Sequence, residues 1–337
     1  MVEEFRRALQ RGRLASSFLF AGPAGIGKRT FALKLAQAML CQTRPEESLD
    51  PCESCPSCAQ AVAGTHPDIA MVAKPADKSF IPLELFLGER EHRRREGLCH
   101  QIGIKPYLGR RKIAIIDDAD YLNAEAANAL LKTLEEPPPR SVLILIGTTP
   151  AKQLPTIRSR CQLIRFRPLP TEVVAKLLAA KHLAANEADA QRLASYSEGS
   201  VQRALELADP ALWKFRHTLY QRLSDPVLDS VQLAQTVSAF VEEAGKEAPA
   251  RRARLRQVVA FAGDYYRQLM LAQCGAALTA DRELTEDVGR AIQHGPGNPE
   301  ATLRRLDRCV DATQQIDRNA NQTTLIECWM DDLAREM

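Results

Sequence analysis

No apolar run in this sequence approaches the ~20 residues that a membrane-crossing helix requires, which argues against a helical membrane protein. The first residues, MVEEFRRALQRGR, lack the apolar core and small-residue cleavage site of a secretory signal. A cytoplasmic protein is expected from this, and in that compartment thiols stay reduced. There is no strong charge of either sign. The 45 basic and 42 acidic side chains leave a net +3, too mild to announce nucleic-acid binding by itself. Internal repeats and low-complexity tracts are also missing, which excludes a solenoid. Charge is concentrated only locally, in REHRRRE (90–96) and GRRK (109–112), and a solvated loop or helix surface is the expected place for both.

What remains is a chain of 337 residues, 45% hydrophobic and 26% charged, long enough for two or three domains with real cores. Short apolar runs recur through its first half: SFLFAG (17–22), DIAMVA (68–73), KIAIIDD (112–118), SVLILIG (141–147) and CQLIRF (161–166). Such runs suit parallel strands buried on both faces. Helical segments such as RTFALKLAQAML and NAEAANALLKTLEE lie between them, and this alternation predicts an α/β fold with a doubly wound parallel sheet. The strand order is not legible. RPLP (167–170) closes this region, and Thr171 is placed to cap the next helix. Residues 171–208 read as helical, Asp209-Pro210 marks a break, and the remainder reads as amphipathic helices.

GPAGIGK (22–28) follows a strand and precedes a helix. Gly22, Gly25 and Gly27 allow the backbone amides to turn inward around phosphate oxygens, and Lys28 adds a point charge at a helix N-terminus. The next position of the pattern requires a hydroxyl to ligate Mg²⁺, and here it is Arg29. A guanidinium cannot ligate a cation. Thr30 has a hydroxyl, but one step along a helix turns it by ~100°. Nucleotide binding can survive on amides and Lys28, whereas hydrolysis, and Mg²⁺ at this site, are not expected. Asp117 ends the third strand where a second acidic metal contact belongs. It is followed by Asp118, where P-loop motors usually place the longer Glu that positions the attacking water.

Four of nine cysteines crowd into residues 41–58. The two-residue gaps of Cys52, Cys55 and Cys58 let neighbouring thiolates converge on one ion, and Cys41 can complete a tetrahedron. An iron–sulfur run begins in the same way, but Val62 stands where its C-P fourth ligand belongs. Zinc is favoured, in a structural role, with His66 supporting the fold. Cys99, Cys161, Cys274, Cys309 and Cys328 are scattered and read as core or surface residues.

NALLKTLEEPP (128–138) followed by LPTIRSRCQ (154–162) resembles the clamp-loader branch of the AAA+ proteins. The similarity is strongest over 14–75 and 104–208 and looser in the C-terminal region. It implies an AAA+ P-loop core over 1–168 with a zinc module at about 41–66; the segment at about 76–102 is longer than the family has at this place and reads as a helical insertion with a solvated charged face, with DNA contact the alternative. A helical lid over 169–208 and an all-α collar over 209–337 follow. It also implies that Arg160 of SRC is an arginine finger projecting in trans into a neighbour's ATP site, with Arg158 a surface or interface charge. Thr148 or Thr149 matches the position that senses a γ-phosphate. A second sensor reads GSVQRAL, with Gln202 where the family places Arg and Arg203 one residue later.

Arg29, Asp118 and Gln202 all depart from the hydrolytic apparatus, whereas Arg160 is intact. The resemblance thus implies a non-hydrolysing, stator-like subunit of the DNA polymerase III assembly. It would sit in a hetero-oligomeric ring with motor subunits of the gamma/tau type and a delta subunit, acting on a sliding clamp and primed DNA. An active gamma/tau-type ATPase and an unrelated nucleotide-regulated switch with a structural zinc are the alternatives. The first predicts Ser or Thr at 29, Glu at 118 and Arg at 202; the second leaves NALLKTLEEPP and SRC unexplained.

Overall fold

A computed structural model describes residues 1–89, 91, 95–108, 110–278, 281–295 and 297–335. The chain divides into two compact units, Met1–Ala208 and Asp209–Met337. In the first unit the five apolar runs are strands: β1 Ser17–Ala21, β2 Ile69–Val72, β3 Lys112–Ile116, β4 Ser141–Gly147 and β5 Gln162–Arg165. They form one sheet in the order β2-β3-β4-β1-β5, and every pairing is parallel.

Side chains alternate between two cores, as a two-residue period requires. Leu19, Ala114, Ile116, Leu143 and Leu145 face one side, with Leu130 and Leu134 of the helix Ala124–Glu135 packed on them. Phe18, Phe20, Ile113, Ile115, Val142 and Ile144 face the other, under the helices Val2–Gln10 and Lys28–Leu40. Five of the ten phenylalanines are gathered here: Phe5, Phe18, Phe20, Phe31 and Phe166 form a chain of rings with centroids 5.1–6.3 Å apart.

Burial on both faces holds for β1, β3 and β4 but not for all five strands. β5 is largely exposed and β2 only half-buried, because each lies at a sheet edge with one neighbour. The segment 76–102 is not a mere appendage. Ile81, Phe86, Leu98 and Ile102 are fully buried in the core against the sheet. Of its basic run, Arg90, His92, Arg93 and Arg94 lie outside the described residues.

The solvated-surface expectation fails for the second basic cluster. Lys112 is buried and reaches the fully buried Asp68 at 3.2 Å and the Pro67 carbonyl at 2.8 Å. Arg111 makes a two-pronged ion pair with Glu46 at 2.5 and 2.9 Å. A buried ammonium is tolerated only with such a partner, and Asp68 also accepts the amides of Tyr107 and Leu108 at 2.7 and 3.0 Å.

Helices Thr171–Ala180, Glu187–Tyr196 and Val201–Glu206 complete the first unit. Thr171 does not cap the first of them. Pro170 takes the extended capping position with no side-chain bond, and Thr171 is already helical. Asn186 and Ser200 cap the other two. The second unit is helical: Pro210–Leu223, Ser230–Glu242, Ala248–Gln273, Arg282–Gln293, Pro299–Asp317 and Gln322–Arg335. Asp209 caps its first helix. Trp329, Tyr220 and Tyr265 are buried in its core, together with Arg216. The Arg216 guanidinium lies 4.7 Å over the Tyr220 ring and pairs with Asp281 and, at 2.8 Å, with Glu283. Among the described residues no helix is long and apolar enough to cross a membrane.

Candidate functional site

Because the strands are parallel, the turns after β1, β3 and β4 all emerge at the carboxyl edge of the sheet, where open α/β folds bind ligands. They carry the glycine loop, Asp117-Asp118 and Thr148-Thr149 respectively. Gly25 and Gly27 have φ of +73° and +93°, a region that side chains with a Cβ rarely adopt. Gly22 and Gly25 are also needed for packing. A Cβ on Gly22 would stand 2.9 Å from Phe166 Cβ, and one on Gly25 would stand 2.7 Å from Gln202 Cβ and collide with Ser200 Oγ. The Gln202 amide donates to the Gly25 carbonyl at 3.4 Å. The start of the helix Val201–Glu206 thus rests directly on the phosphate loop.

Lys28 is buried and folded back on its own loop, donating to the carbonyls of Gly22 and Pro23, both at 2.6 Å. Burial pushes its pKa down, opposed by the charges of Asp117, Asp120 and Asp118. Arg29 Nε stands 3.7 Å from Asp117 Oδ2, so a cation faces the carboxylate that follows β3. Asp118 takes a left-handed φ of +54°. Thr30 is exposed. Arg203 turns to Glu198 at 2.8 Å, whereas Gln202 lies over Gly25 and donates to Glu206 at 2.9 Å.

Asp120 was not singled out by sequence reasoning, yet it organises the tip of β4. Its carboxylate accepts the Thr148 hydroxyl at 2.5 Å, the Thr148 amide at 2.8 Å and the Gln153 amide group at 3.2 Å. The Thr148 hydroxyl is therefore already engaged within the chain. Thr149 caps the turn at 150–152 by accepting from the Ala151 amide at 3.4 Å. The only sequence signal for Asp120 is its place as the third acid of IDDAD.

Arg160 lies at the other edge. The β1–β5 register pairs Ala21 with Arg165. β5 itself begins at Gln162, paired with Phe18 near the start of β1, and Arg160 lies two residues before it, toward the amino edge of the sheet. The structure does not bring it to its own loop. Its guanidinium meets Glu135 at 2.7 Å, the Thr156 carbonyl at 3.0 Å and Ser159 Oγ at 3.2 Å. Arg158 points elsewhere and helps line a cavity of about 370 Å³ with Leu19, Pro150, Pro155, Ser159 and Leu163.

The sulfurs of Cys41, Cys52, Cys55 and Cys58 lie within 4.8 Å of one another, with Cys52 and Cys58 at 3.9 Å. Four sulfurs at ~2.3 Å from one tetrahedral ion would stand ~3.8 Å apart, so the cluster can hold a metal such as zinc. Backbone amides point at three of them: Arg44 and Cys52 at Cys41 (3.4 and 3.5 Å), Cys55 at Cys52 (3.3 Å) and Cys58 at Cys55 (3.4 Å). Amide and hydroxyl donors around Cys52, first the Ser54 amide, bring its thiol down to about 5, while burial pushes Cys58 up to about 12. Arg110 ties the module to the sheet by donating to the carbonyls of Cys41, Arg44 (2.9 Å) and Gln42 (3.3 Å). His66 is not a ligand. Its Nδ1 accepts from the Asp68 amide at 3.0 Å, which places the proton on Nε2, facing Ser57 Oγ at 2.8 Å. Ser57 in turn donates to the Leu40 carbonyl at 2.6 Å.

A parallel sheet with a glycine loop at its carboxyl edge defines a P-loop type of α/β protein. Residues 1–170 match the family described as DNA polymerase III, delta subunit, and the chain belongs to that family, on its delta-prime side. It is 33% identical over 201 residues to DNA polymerase III subunit delta' of Bacillus subtilis, covering 60% of this chain and 56% of that one. Against the Pseudomonas aeruginosa delta' subunit it is 37% identical over 198 residues, covering 58% and 57%. Against subunit tau of Escherichia coli it is 30% identical over 245 residues, covering 71% and 36%. The matched region thus spans somewhat more than half the length of these delta' relatives.

Proposed function

We propose that this chain is a clamp-loader subunit of DNA polymerase III that does not hydrolyse ATP itself and supplies Arg160 in trans to the ATP site of an adjoining motor subunit. The observation that carries the reading is the ion pair of Arg29 with Asp117. In a working site the loop hydroxyl and this acid bracket Mg²⁺, which neutralises charge building on the phosphates; here a guanidinium takes the place of the hydroxyl ligand. The residues Gly22, Gly25, Gly27, Lys28, Thr30, Asp117, Asp118, Thr148, Thr149 and Arg203 are then a retained nucleotide-site framework rather than a catalytic site.

The sheet geometry supports the trans role. Arg160 lies just before β5 at the amino edge of the sheet, makes no bond to its own loop and is partly exposed, which suits a role toward another molecule. A planar cation delivered there stabilises the γ-phosphate transition state. The partners in this reading are gamma/tau-type motor subunits and a delta subunit in a ring, a sliding clamp, and primed DNA reached through the complex in the cytoplasm. Cys41, Cys52, Cys55 and Cys58 hold a structural zinc, which when bound would fix the loop between the helices Lys28–Leu40 and Pro56–Ala63.

Two measurements test the reading. The isolated chain with Mg²⁺ and ATP is expected to show no motor-like turnover, and motor-like turnover would overturn the non-hydrolysing role. Arg160→Ala in the reconstituted complex is expected to lower clamp-dependent ATP hydrolysis sharply while assembly by size exclusion is unchanged. Undiminished hydrolysis would remove the finger assignment.

A further inference from the structure

Glu135 is the last residue of the helix Ala124–Glu135, and Pro137 and Pro138 stop the chain from continuing that helix. Leu134, beside it, and Ile157 of the short helix Pro155–Arg158 belong to one buried core. That shared packing fixes the end of the first helix against the segment bearing Arg160. Across the junction Glu135 Oε1 meets Arg160 Nη2 at 2.7 Å, while Nη1 is held by the Thr156 carbonyl and Ser159 Oγ. The two side chains are half-exposed, at 49% for Glu135 and 33% for Arg160, so the pair is worth little to stability. A guanidinium has five N–H donors, and these three contacts leave donors on it for an outside acceptor. Arg160 is thus oriented from one side and open on the other.

We propose that Glu135 is a positioning residue for the finger: it fixes the Arg160 guanidinium in the direction in which it is delivered to the neighbouring subunit's nucleotide. This rests on the trans role of Arg160. A long side chain searching several rotamers delivers its charge to a transition state less often than one already held. Glu135 therefore acts on the neighbour's rate without touching its nucleotide.

The test is ATP turnover of the reconstituted clamp-loading complex carrying Glu135→Ala, Glu135→Gln, Arg160→Ala or the double variant. Glu135→Ala is expected to lower kcat roughly 10- to 100-fold at each site that Arg160 serves, the range for a group misplaced by ~1 Å, with KM and assembly unchanged. Glu135→Gln, which is isosteric and still offers an oxygen acceptor, is expected to recover part of that loss. The double variant should be no slower than Arg160→Ala alone. If Arg160→Ala is slow while both Glu135 variants turn over like wild type, the positioning role is overturned and the finger stands. A double variant clearly slower than Arg160→Ala would overturn it too, since Glu135 would then act independently. If Arg160→Ala has no effect, the finger reading itself falls, and this inference with it. Glu136→Ala, one residue along and exposed, is the control expected to leave kcat unchanged.

Discussion

His66 illustrates how a single side chain joins the cysteine module to the sheet. It is buried, at 3% exposure, and serves as an acceptor for the Asp68 amide and a partner for Ser57. Burial is the main cause that holds its pKa below the ordinary value of 6.5; the Asp68 charge opposes this, and Lys112 adds to it. Between that value and its lower folded pKa, the unfolded chain binds more protons here than the folded one does. Its contribution is therefore complete above pH 6.5 and is lost as the pH falls through that window. Urea unfolding at pH 7.5 and 5.5 is expected to show a larger drop for wild type than for His66→Gln; equal drops would refute the assignment. Gly25 gives a second prediction at this scale. Alanine there meets both a strained φ and the Gln202 and Ser200 side chains, so Gly25→Ala should cost about 1–3 kcal/mol, read as a lowered midpoint in thermal unfolding.

At the scale of elements, the metal module is a loop held at both ends by helices and from behind by Arg110. Native mass spectrometry is expected to show one zinc on the intact chain and a weakened occupancy in Cys55→Ser; recovery of iron would reject the zinc assignment. Cysteine spacing made this module legible in the sequence, because two-residue gaps constrain geometry locally. The strands were legible for a related reason: a run buried on both faces must be apolar throughout, as in β1, β3 and β4. Edge position was only partly legible. CQLIRF carries Gln162 and Arg165 within its strand, whereas DIAMVA is as apolar as its neighbours and only the strand order leaves it at a rim. Asp120, the Glu135–Arg160 pair and the burial of Lys112 were hidden for the same cause. Each depends on contacts between residues 25 to 44 positions apart, or on the sheet's register, which no local pattern encodes.

At the scale of the whole molecule, the scarcity of tryptophan becomes an experimental handle. Both tryptophans, Trp213 and Trp329, lie in the unit Asp209–Met337, and Trp329 is fully buried among its helices. The cysteine module, the phosphate loop and Arg160 all belong to the unit Met1–Ala208. Each unit encloses its own core, one built on a parallel sheet and the other on packed helices. A ligand bound by the native state stabilises the cooperative unit that binds it, and structural zinc contributes its binding energy to folding. Removing metal with a chelator should therefore lower the thermal transition of the first unit and leave that of the second in place. Tryptophan emission follows the second unit, while circular dichroism at helix wavelengths follows both. On chelation the dichroism transition is expected to broaden or split toward lower temperature, with the emission midpoint unmoved. A tryptophan midpoint that falls with the metal would show that the two cores unfold as one cooperative system.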